Sequence, residues 1–271
     1  MVRSLWTAAS GMISQQTSLD TISNNLANIN TTGFKKETAQ FKTLLYQTIQ
    51  ENSTDNEGNP KPLGIQTGLG VRNSAIVSKF SQGNLNATEN DFDFAIEGRG
   101  FFMVAMPDGS IGYTRNGAFN MAVGVDGLTL ATAEGYPVLD STGEPIVLEE
   151  GQNASDLEID DYGNLAYPDE TGAPQSLGIK IGLAQFNNPA GLIKTSGSIL
   201  KESDASGMVR LEAEDTALVA SKIRRKYLEG SNVQAVNEMV DLIVTQRAYE
   251  MNSKAITASD EMLQQANNLR R

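Results

Sequence analysis

Four acidic residues near the middle of the chain are of a type that could do chemistry. They are Asp156, Glu158, Asp160 and Asp161. Paired carboxylates can serve acid–base catalysis or bind Ca²⁺, but their spacing is not that of an EF-hand, and they fall in an expected hairpin strand and turn. We interpret them as a solvated strand edge whose charge discourages unwanted sheet pairing.

A glycine pair and a basic run also attract a functional interpretation. Gly98-Arg99-Gly100 lacks the third glycine and the following helix of a phosphate-binding loop, so we expect a turn between two strands. The basic run consists of Lys222, Arg224, Arg225 and Lys226. Such a run suits anionic polymers, but in an acidic chain it is more often a solvated or ion-paired face. We expect it to pair with the acidic body of a neighbouring subunit.

The composition removes several classes of site. The 271 residues include no Cys and no His, which excludes disulfides, thiol catalysis and the commonest metal ligand. A formal net charge of −12 argues against a general nucleic-acid partner. We therefore expect no catalytic residue, no metal site and no cofactor. Because no apolar run reaches about 18 residues, the sequence predicts neither membrane insertion nor a cleaved secretion signal.

The acidic, glycine and basic residues described above lie between two long helical patterns. The first is an a/d heptad with two rows: Leu5, Met12, Leu19 and Leu26, then Ala8, Gln15, Ile22 and Ile29. It predicts a helix over residues 4–34, with Gly33 as a left-handed stop. Such a helix is too long to lie against one small core, so it needs a partner.

The second helical pattern covers residues 233–269. Its heptad row is Leu242, Tyr249, Ile256 and Leu263. Both helices join the body at their inner ends, so if they pair they must run antiparallel. Asn25 and Asn252 sit on or beside these rows, which suits a crowded assembly of fixed register. A two-helix hairpin leaves about half of each surface in water, and further copies are expected to cover it.

The stretch between the helices has the pattern of short strands. Residues 37–49 are expected to extend the first helix after a break or to form an irregular arm. Residues 50–70, rich in Asn, Gly and Pro, indicate a flexible linker or an extended hairpin. Strands separated by turn clusters are predicted at 92–96, 101–106, 111–115, 128–132, 145–148, 157–159, 165–167, 179–186 and 199–202.

The predicted fold class is therefore α+β. A discontinuous N- and C-terminal helical coiled-coil domain accompanies a mainly-β body, sandwich- or barrel-like, and an extended linker or hairpin. The expected division is 1–34 with 230–271 as the helical domain, 35–90 with 207–229 as a connector, and 91–206 as an outer β domain.

Motifs at both ends and in the centre resemble the bacterial flagellar rod and hook proteins. They are ASGM at 9–12, SNNLANINTTGFK at 23–35, AIEGRGFF at 95–102, YTRNGAF at 113–119, EMVDL at 238–242 and QRAYEMNSKA at 246–255. Because these matches follow the order found in the family, the chain is similar to that family as a whole. The stretches at 44–49 and 64–71 most resemble its distal rod members.

The resemblance implies a structural subunit of the flagellar distal rod and not an enzyme. Such subunits polymerise into a straight, rigid helical tube that carries motor torque to the hook. The implied location is the basal body, outside the cytoplasmic membrane, reached by type III export without a cleaved signal. The implied partners are copies of the chain itself, proximal rod proteins, the hook protein, ring bushing proteins where an outer membrane exists, the export apparatus and the rod cap.

Two sets of residues are expected to carry this function. The predicted assembly interface comprises Leu5, Met12, Leu19, Ile22, Asn25, Leu26, Ile29, Leu242, Tyr249, Asn252, Ile256 and Leu263. The predicted rod-stiffening segment, residues 46–70, comprises Tyr46, Ile49, Pro60, Pro62, Leu63 and Ile65, and is expected to order only against neighbouring subunits. The alternatives are a proximal rod or hook subunit and, more remotely, a peptidoglycan-processing enzyme with rod-type termini, for which the sequence supplies no nucleophile and base.

Overall fold

A computed structural model of the chain describes residues 2–50, 65–124, 127–148, 157–168, 174–215 and 217–268. The contacts divide it into two compact units. The first, which we call the helical unit, comprises Met1–Ala27, Glu37–Ser78 and Gln234–Arg271. The second, the β body, comprises Asn28–Lys36 and Lys79–Val233.

The helical unit consists of two helices and two pairs of strands. Helix α1 spans Val2–Ala27 and helix α2 spans Ala235–Asn268. The helices pack along each other in antiparallel orientation, which confirms the prediction from the two heptads. Strand β1 (Glu37–Thr43) pairs with β4 (Val71–Ser78), and β2 (Tyr46–Gln50) pairs with β3 (Ile65–Gly68), both antiparallel.

Two predictions about the segment that follows the first heptad are wrong. Residues 37–49 form neither a helix nor an irregular arm but the strands β1 and β2, whose partners lie far along the chain. Helix α1 ends at Ala27 and does not continue to residue 34. The backbone N–H of Thr31 and its hydroxyl both bond to Asn28, so local turn bonds replace the helical ladder there. Gly33 does adopt the left-handed conformation expected of it, with φ +69°.

The β body contains short strands throughout. They are β5 (Leu85–Ala87), β6 (Phe94–Glu97), β7 (Phe101–Ala105), β8 (Ile111–Thr114), β9 (Phe119–Val123), β10 (Leu128–Thr132), β11 (Val147–Leu148), β12 (Glu158–Ile159), β13 (Asn164–Pro168), β14 (Pro174–Lys180), β15 (Leu183–Gln185), β16 (Ile193–Lys194), β17 (Ile199–Lys201), β18 (Arg210–Leu211), β19 (Lys222–Arg225) and β20 (Tyr227–Glu229). The largest sheet has the order β16-β17-β8-β7-β15-β18. Smaller sheets have the orders β11-β10-β9, β12-β13-β14, β19-β6 and β20-β5. The mainly-β prediction is confirmed, and within the described residues no barrel closes.

Strand β7 lies at the centre of the body, and both of its faces are buried. Phe102 and Val104 point into one apolar cluster with Phe119 and Leu130, all at most 1% exposed. Phe101 points into a second cluster on the opposite face. Burial on both faces explains why this strand is a continuous apolar run and does not alternate.

Candidate functional site

The face on which the two helices meet is built from small and polar residues. The Ser4 and Ser259 hydroxyl oxygens lie 3.3 Å apart, and the Asn25 amide donates to the Glu238 carboxylate at 3.0 Å. Between these pairs, Gly11 lies against Asn252 so closely that a Cβ there would be 2.9 Å from the amide nitrogen. From one contact to the next, the residue number on α1 rises by a multiple of seven, and the residue number on α2 falls by the same amount. We call this row of contacts the seam.

The seam follows a polar heptad on α2 that was not predicted from the sequence. Glu238, Thr245 and Ser259 are buried and Asn252 is half-buried, although all four are polar. Their spacing of seven residues is visible in the sequence, but the apolar heptad rows do not show that this polar row is the buried one. Buried polar groups with specific partners fix the register of a helix pair more than they add to its stability.

Helix α1 is also covered on a second side, by the β1–β4 strand pair. The backbone N–H of Val71 donates to the Ser10 hydroxyl at 3.3 Å. The Asn25 amide group donates to the Glu37 carbonyl and accepts from the Glu37 N–H, both at 2.8 Å. Asn25 therefore forms hydrogen bonds with strand β1 and with helix α2 at the same time, and its side chain is only 1% exposed.

Five large apolar residues near the start of α2 point away from α1. Val236, Met239, Val240, Ile243 and Val244 are all more than half exposed, and we call them the α2 stripe. Their spacing of three and four residues places them on one helix face. At 100° per residue, Val240 lies about 160° around the helix from the buried Glu238. The stripe is therefore on the side opposite the seam.

Helix α1 has a smaller outward apolar patch. Trp6 is 71% exposed and Ile13, seven residues later, is 63% exposed; we call these two the α1 patch. Further along the same outward side, Gln16 and Asp20 are exposed and polar. The α1 patch thus lies in the N-terminal half of its helix, and so does the α2 stripe, although single exposed methionines follow the stripe at Met251 and Met262.

The predicted interface residues are distributed around this pair of helices. Ile22 and Asn25 are buried, whereas Tyr249 is 43% exposed. Those that are half-buried are Leu5, Met12, Leu19, Leu26, Leu242, Asn252, Ile256 and Leu263. Ile29 lies in the turn after α1 and is not part of the helix. Their role in assembly stays a prediction.

The predicted stiffening segment contributes the β2–β3 strand pair. Tyr46, Ile49 and Ile65 are each more than half exposed on it. The pair begins where the Leu44 N–H donates to the Gly70 carbonyl at 2.9 Å. Pro60, Pro62 and Leu63 lie outside the described residues. The described part of the segment thus presents apolar side chains to solvent, as the α2 stripe does.

A buried ionic cluster lies in the β body. The Glu229 carboxylate, fully buried, accepts from Lys35 at 2.6 Å and from Arg115 at 3.1 Å. The backbone N–H of Gly83 donates to the same carboxylate at 2.8 Å. Burial lowers the pKa of both Lys35 and Arg115, and the Glu229 charge opposes that shift in each case. The cluster therefore joins the chain just after α1 to strand β20.

The basic run forms its ion pairs within the chain, so the expected pairing with a neighbouring subunit is wrong for the residues that carry them. Arg224 bonds Glu97 at 3.0 Å, and Arg225 and Lys226 both reach Asp91, at 3.1 and 3.0 Å. The physical reason is that residues 222–225 form strand β19, which pairs with β6 and brings these charges together.

Gly98 and Asp160 lie in turns of the β body, Glu158 lies in strand β12, and Asp156 lies outside the described residues. Gly98 has φ +141° between β6 and β7, which confirms the expected turn. Asp160 accepts from the backbone N–H groups of Tyr162 and Asn164, so it shapes the turn between β12 and β13. In the described part of the chain, no three acidic, Cys or His side chains are placed to hold a metal ion. No described helix has the length and apolarity needed to cross a membrane.

Three protein-family models match the chain in the regions that carry the motifs. "Flagella basal body rod protein" matches residues 5–35, "Flagellar hook protein FlgE/F/G D1 domain" matches 95–167, and "Flagellar basal body rod FlgEFG protein C-terminal" matches 224–269. The first and last include most of α1 and α2, and the second includes the core strands of the β body.

Curated relatives extend this similarity to the full length. The chain is 42% identical to the flagellar basal-body rod protein FlgG of Borreliella burgdorferi, over 100% of both chains. It is 41% identical to the protein of that name from Agrobacterium fabrum, over 96% of this chain and 97% of the relative. It is also 31% identical to the flagellar hook-basal body complex protein FlhP of Bacillus subtilis, over 100% of both chains.

Proposed function

Because the chain belongs to the family of flagellar basal-body rod proteins, we propose that it is a structural subunit of the distal rod. Copies polymerise into a straight, rigid helical tube of the basal body, and this tube carries torque to the hook. The proposal includes contacts with proximal rod proteins, the hook protein, the export apparatus, the rod cap and, where an outer membrane exists, the ring bushing proteins. It also includes export to the outside of the cytoplasmic membrane without a cleaved signal.

The observation that carries the proposal is the α2 stripe. Helix α2 packs on α1 through Glu238 and Ser259, and its exposed row of Val, Ile and Met lies on the side away from α1. In a monomer that remained alone in water, such a face would be unfavourable because its apolar side chains contact solvent. Contiguous exposed apolar surface of this kind marks a protein contact. Stacked copies would cover it.

Placing one charge in the stripe tests the proposal. We expect Val240→Asp to leave the monomer folded and to abolish polymer formation by the purified full-length protein, seen by sedimentation and electron microscopy. Ala258→Asp is the matched control, because Ala258 is exposed on the same face of α2 but outside the stripe. The proposal is wrong if both variants polymerise like the parent, or if the parent forms no polymer under any condition and the gene complements no rod-deficient strain.

The predicted stiffening role of residues 46–70 is part of the proposal. We propose that residues 46–70 stiffen the tube by filling gaps between neighbouring subunits, since Tyr46, Ile49 and Ile65 expose apolar surface. Because Leu69 N–H donates to Leu45 O at the base of the strand pair, residues 46–68 can be replaced by Asn-Gly with little strain on the remaining strands. The shortened protein should form curved or bendable polymers. Straight, stiff ones would contradict the stiffening role while leaving the structural role intact.

A second candidate function within the same family is another axial subunit of the hook–basal body complex. The similarity to FlhP favours keeping it, since that relative also matches over its full length. Imaging the polymer separates the two candidates, because a hook subunit would build a curved tube.

A further inference from the structure

We propose that the α1 patch of one copy packs against the α2 stripe of a second copy, in a head-to-tail contact that does not close. This inference rests on the proposed function, because it names the two surfaces through which copies of the chain join. It commits to one occupant for the stripe, namely Trp6 and Ile13 of a neighbour.

The two surfaces lie at opposite ends of the helix pair. The contacts Ser4–Ser259, Gly11–Asn252 and Asn25–Glu238 share one register, in which the two residue numbers always add to the same value. In that register Trp6 and Ile13 lie beside residues 257 and 250 of α2, whereas the stripe, residues 236–244, lies beside residues 19–27 of α1. A neighbour must therefore be displaced along the helix axis for the two surfaces to meet.

The two surfaces also lie on opposite sides of the pair. The stripe is about 160° around α2 from the seam, and Ile13 is 200° around α1 from Gly11, which lies on the seam. A two-fold dimer would need both surfaces on one side to engage them reciprocally. With the surfaces on opposite sides, each copy offers a patch in one direction and a stripe in the other, so the contact is head-to-tail. Because each copy is also displaced along the helix axis, such contacts generate an open filament and not a closed ring.

The spacing within the two surfaces matches for antiparallel packing. Trp6 and Ile13 are seven residues apart, as are Ile243 and Val236, so Trp6 can face Ile243 while Ile13 faces Val236. The small Ala9 then faces Val240 between them. Within one chain Trp6 lies beside residue 257, so facing Ile243 is a shift of fourteen residues. At 1.5 Å per residue this is an axial displacement of about 21 Å, or two heptads.

Charge favours α1 over a second α2 as the occupant. Helix α2 has five carboxylates and two basic side chains, a net charge of −3. Helix α1 has one Arg and one Asp, Arg3 and Asp20, and is neutral overall. Packing two α2 helices stripe to stripe would bring like net charges together, whereas α1 brings none. Arg3, in the turn of α1 that carries Trp6, adds a cation near the acidic helix.

Introduced cysteines test the pairing without background, because the chain has no Cys of its own. Full-length Ile13→Cys and Val236→Cys proteins are mixed, allowed to polymerise, oxidised and run on non-reducing gels. We expect disulfide dimers that contain one copy of each variant, at least about tenfold more abundant than dimers of either variant alone. Trp6→Cys with Ile243→Cys should behave in the same way. Ile13→Cys with Ala258→Cys is the control that should not cross-link.

The outcomes separate this inference from the proposed function. The pairing is overturned if polymers form but the cross-links join two stripes or two patches. It is also overturned if the Ala258→Cys control cross-links equally well, or if no cross-link forms. In each of these cases the structural role still holds. If the parent protein forms no polymer and complements no rod-deficient strain, the proposed function fails and the pairing fails with it. Circular dichroism of each variant before mixing shows that the exposed substitutions have not unfolded the chain.

Discussion

The β body and the helical unit bury their surfaces in opposite ways. In the body, Phe94, Phe102 and Phe119 are fully buried in one apolar cluster, and aromatic pairs such as Phe102–Phe119 meet edge to face at 5.1 Å. In the helical unit, the seam buries Ser, Thr, Asn and Glu, while Trp6 and the α2 stripe face solvent. The first arrangement is a completed core. The second has its largest apolar residues on the outside.

This difference indicates which part of the chain is stable alone. Apolar burial contributes the main favourable term in folding, so the β body should carry most of the free energy of unfolding. A polar seam contributes register and little net stability. Helices held in this way should open readily, which is consistent with the export and assembly that we propose for the subunit.

The largest expected effect is in the body core. Phe102→Ala should lower the free energy of unfolding of the body by about 4 kcal/mol, because it removes a ring with no exposed surface and leaves a cavity beside Phe119. Trp6→Ala removes a larger side chain from the helical unit, yet it should change monomer stability by less than about 0.5 kcal/mol. Denaturant unfolding of the two full-length variants measures both. Comparable losses would contradict the contrast between the units.

The next largest effect is expected at the ionic cluster of the body. Glu229→Gln keeps the size of the side chain but leaves Lys35 and Arg115 buried without their carboxylate, which should destabilise the body by about 3 kcal/mol. Arg224→Gln is the control, since Arg224 is in an exposed ion pair with Glu97 and should matter by less than about 1 kcal/mol. Equal effects of the two substitutions would show that burial does not decide the strength of these pairs.

The sequence was sufficient where structure depends on neighbours along the chain. Strands such as β7 and β10, and the turn at Gly98, follow from apolar runs bounded by glycine and proline. Strands β1, β19 and β20 were missed because their partners are distant: β20 pairs with β5, some 140 residues earlier in the chain. A basic run or a polar stretch becomes a strand only when such a partner supplies its hydrogen bonds.

For the candidate site, the heptads predicted the antiparallel pair but not which face is the seam. Leu5 and Met12 suggested an apolar seam, whereas Ser4 and Gly11, one position earlier, form it. Periodicity shows that one side of a helix is more apolar than the other. On α1, however, the faces on both sides of the seam are partly apolar, so periodicity does not identify the face that meets α2. Which of them meets α2 depends on close approach at Gly11 and on the bond from Asn25 to Glu238, and these are tertiary contacts.

A smaller and more local effect is expected from filling the seam at Gly11. Gly11→Ala should be neutral or slightly stabilising, because the nearest atom is the end of the flexible Asn252 side chain and alanine favours a helix by about 1 kcal/mol. Gly11→Leu has no room and should weaken the pairing of α1 with α2 by about 1–3 kcal/mol. Residue-resolved amide hydrogen exchange in α2 measures the loss, with the body amides as an internal reference. If leucine left α2 as protected as alanine does, the close approach would not define the register.

The smallest effect concerns acid, and it should appear in the body. Partial burial alone would raise the pKa of Asp140, but hydrogen bonds from the Thr142 hydroxyl and from the backbone of Glu144, Thr142 and Gly143 together outweigh it and hold that pKa below its ordinary value. A carboxylate whose pKa is lower in the folded state stabilises the fold above its unfolded pKa of about 3.9, and this contribution is lost as pH falls through the folded value. Asp140→Asn should therefore cost about 1 kcal/mol at pH 7 and progressively less below about pH 4. Urea unfolding of both proteins across this pH range measures the difference, and a gap that stays constant down to pH 2 would show that the charge of Asp140 does not stabilise the turn.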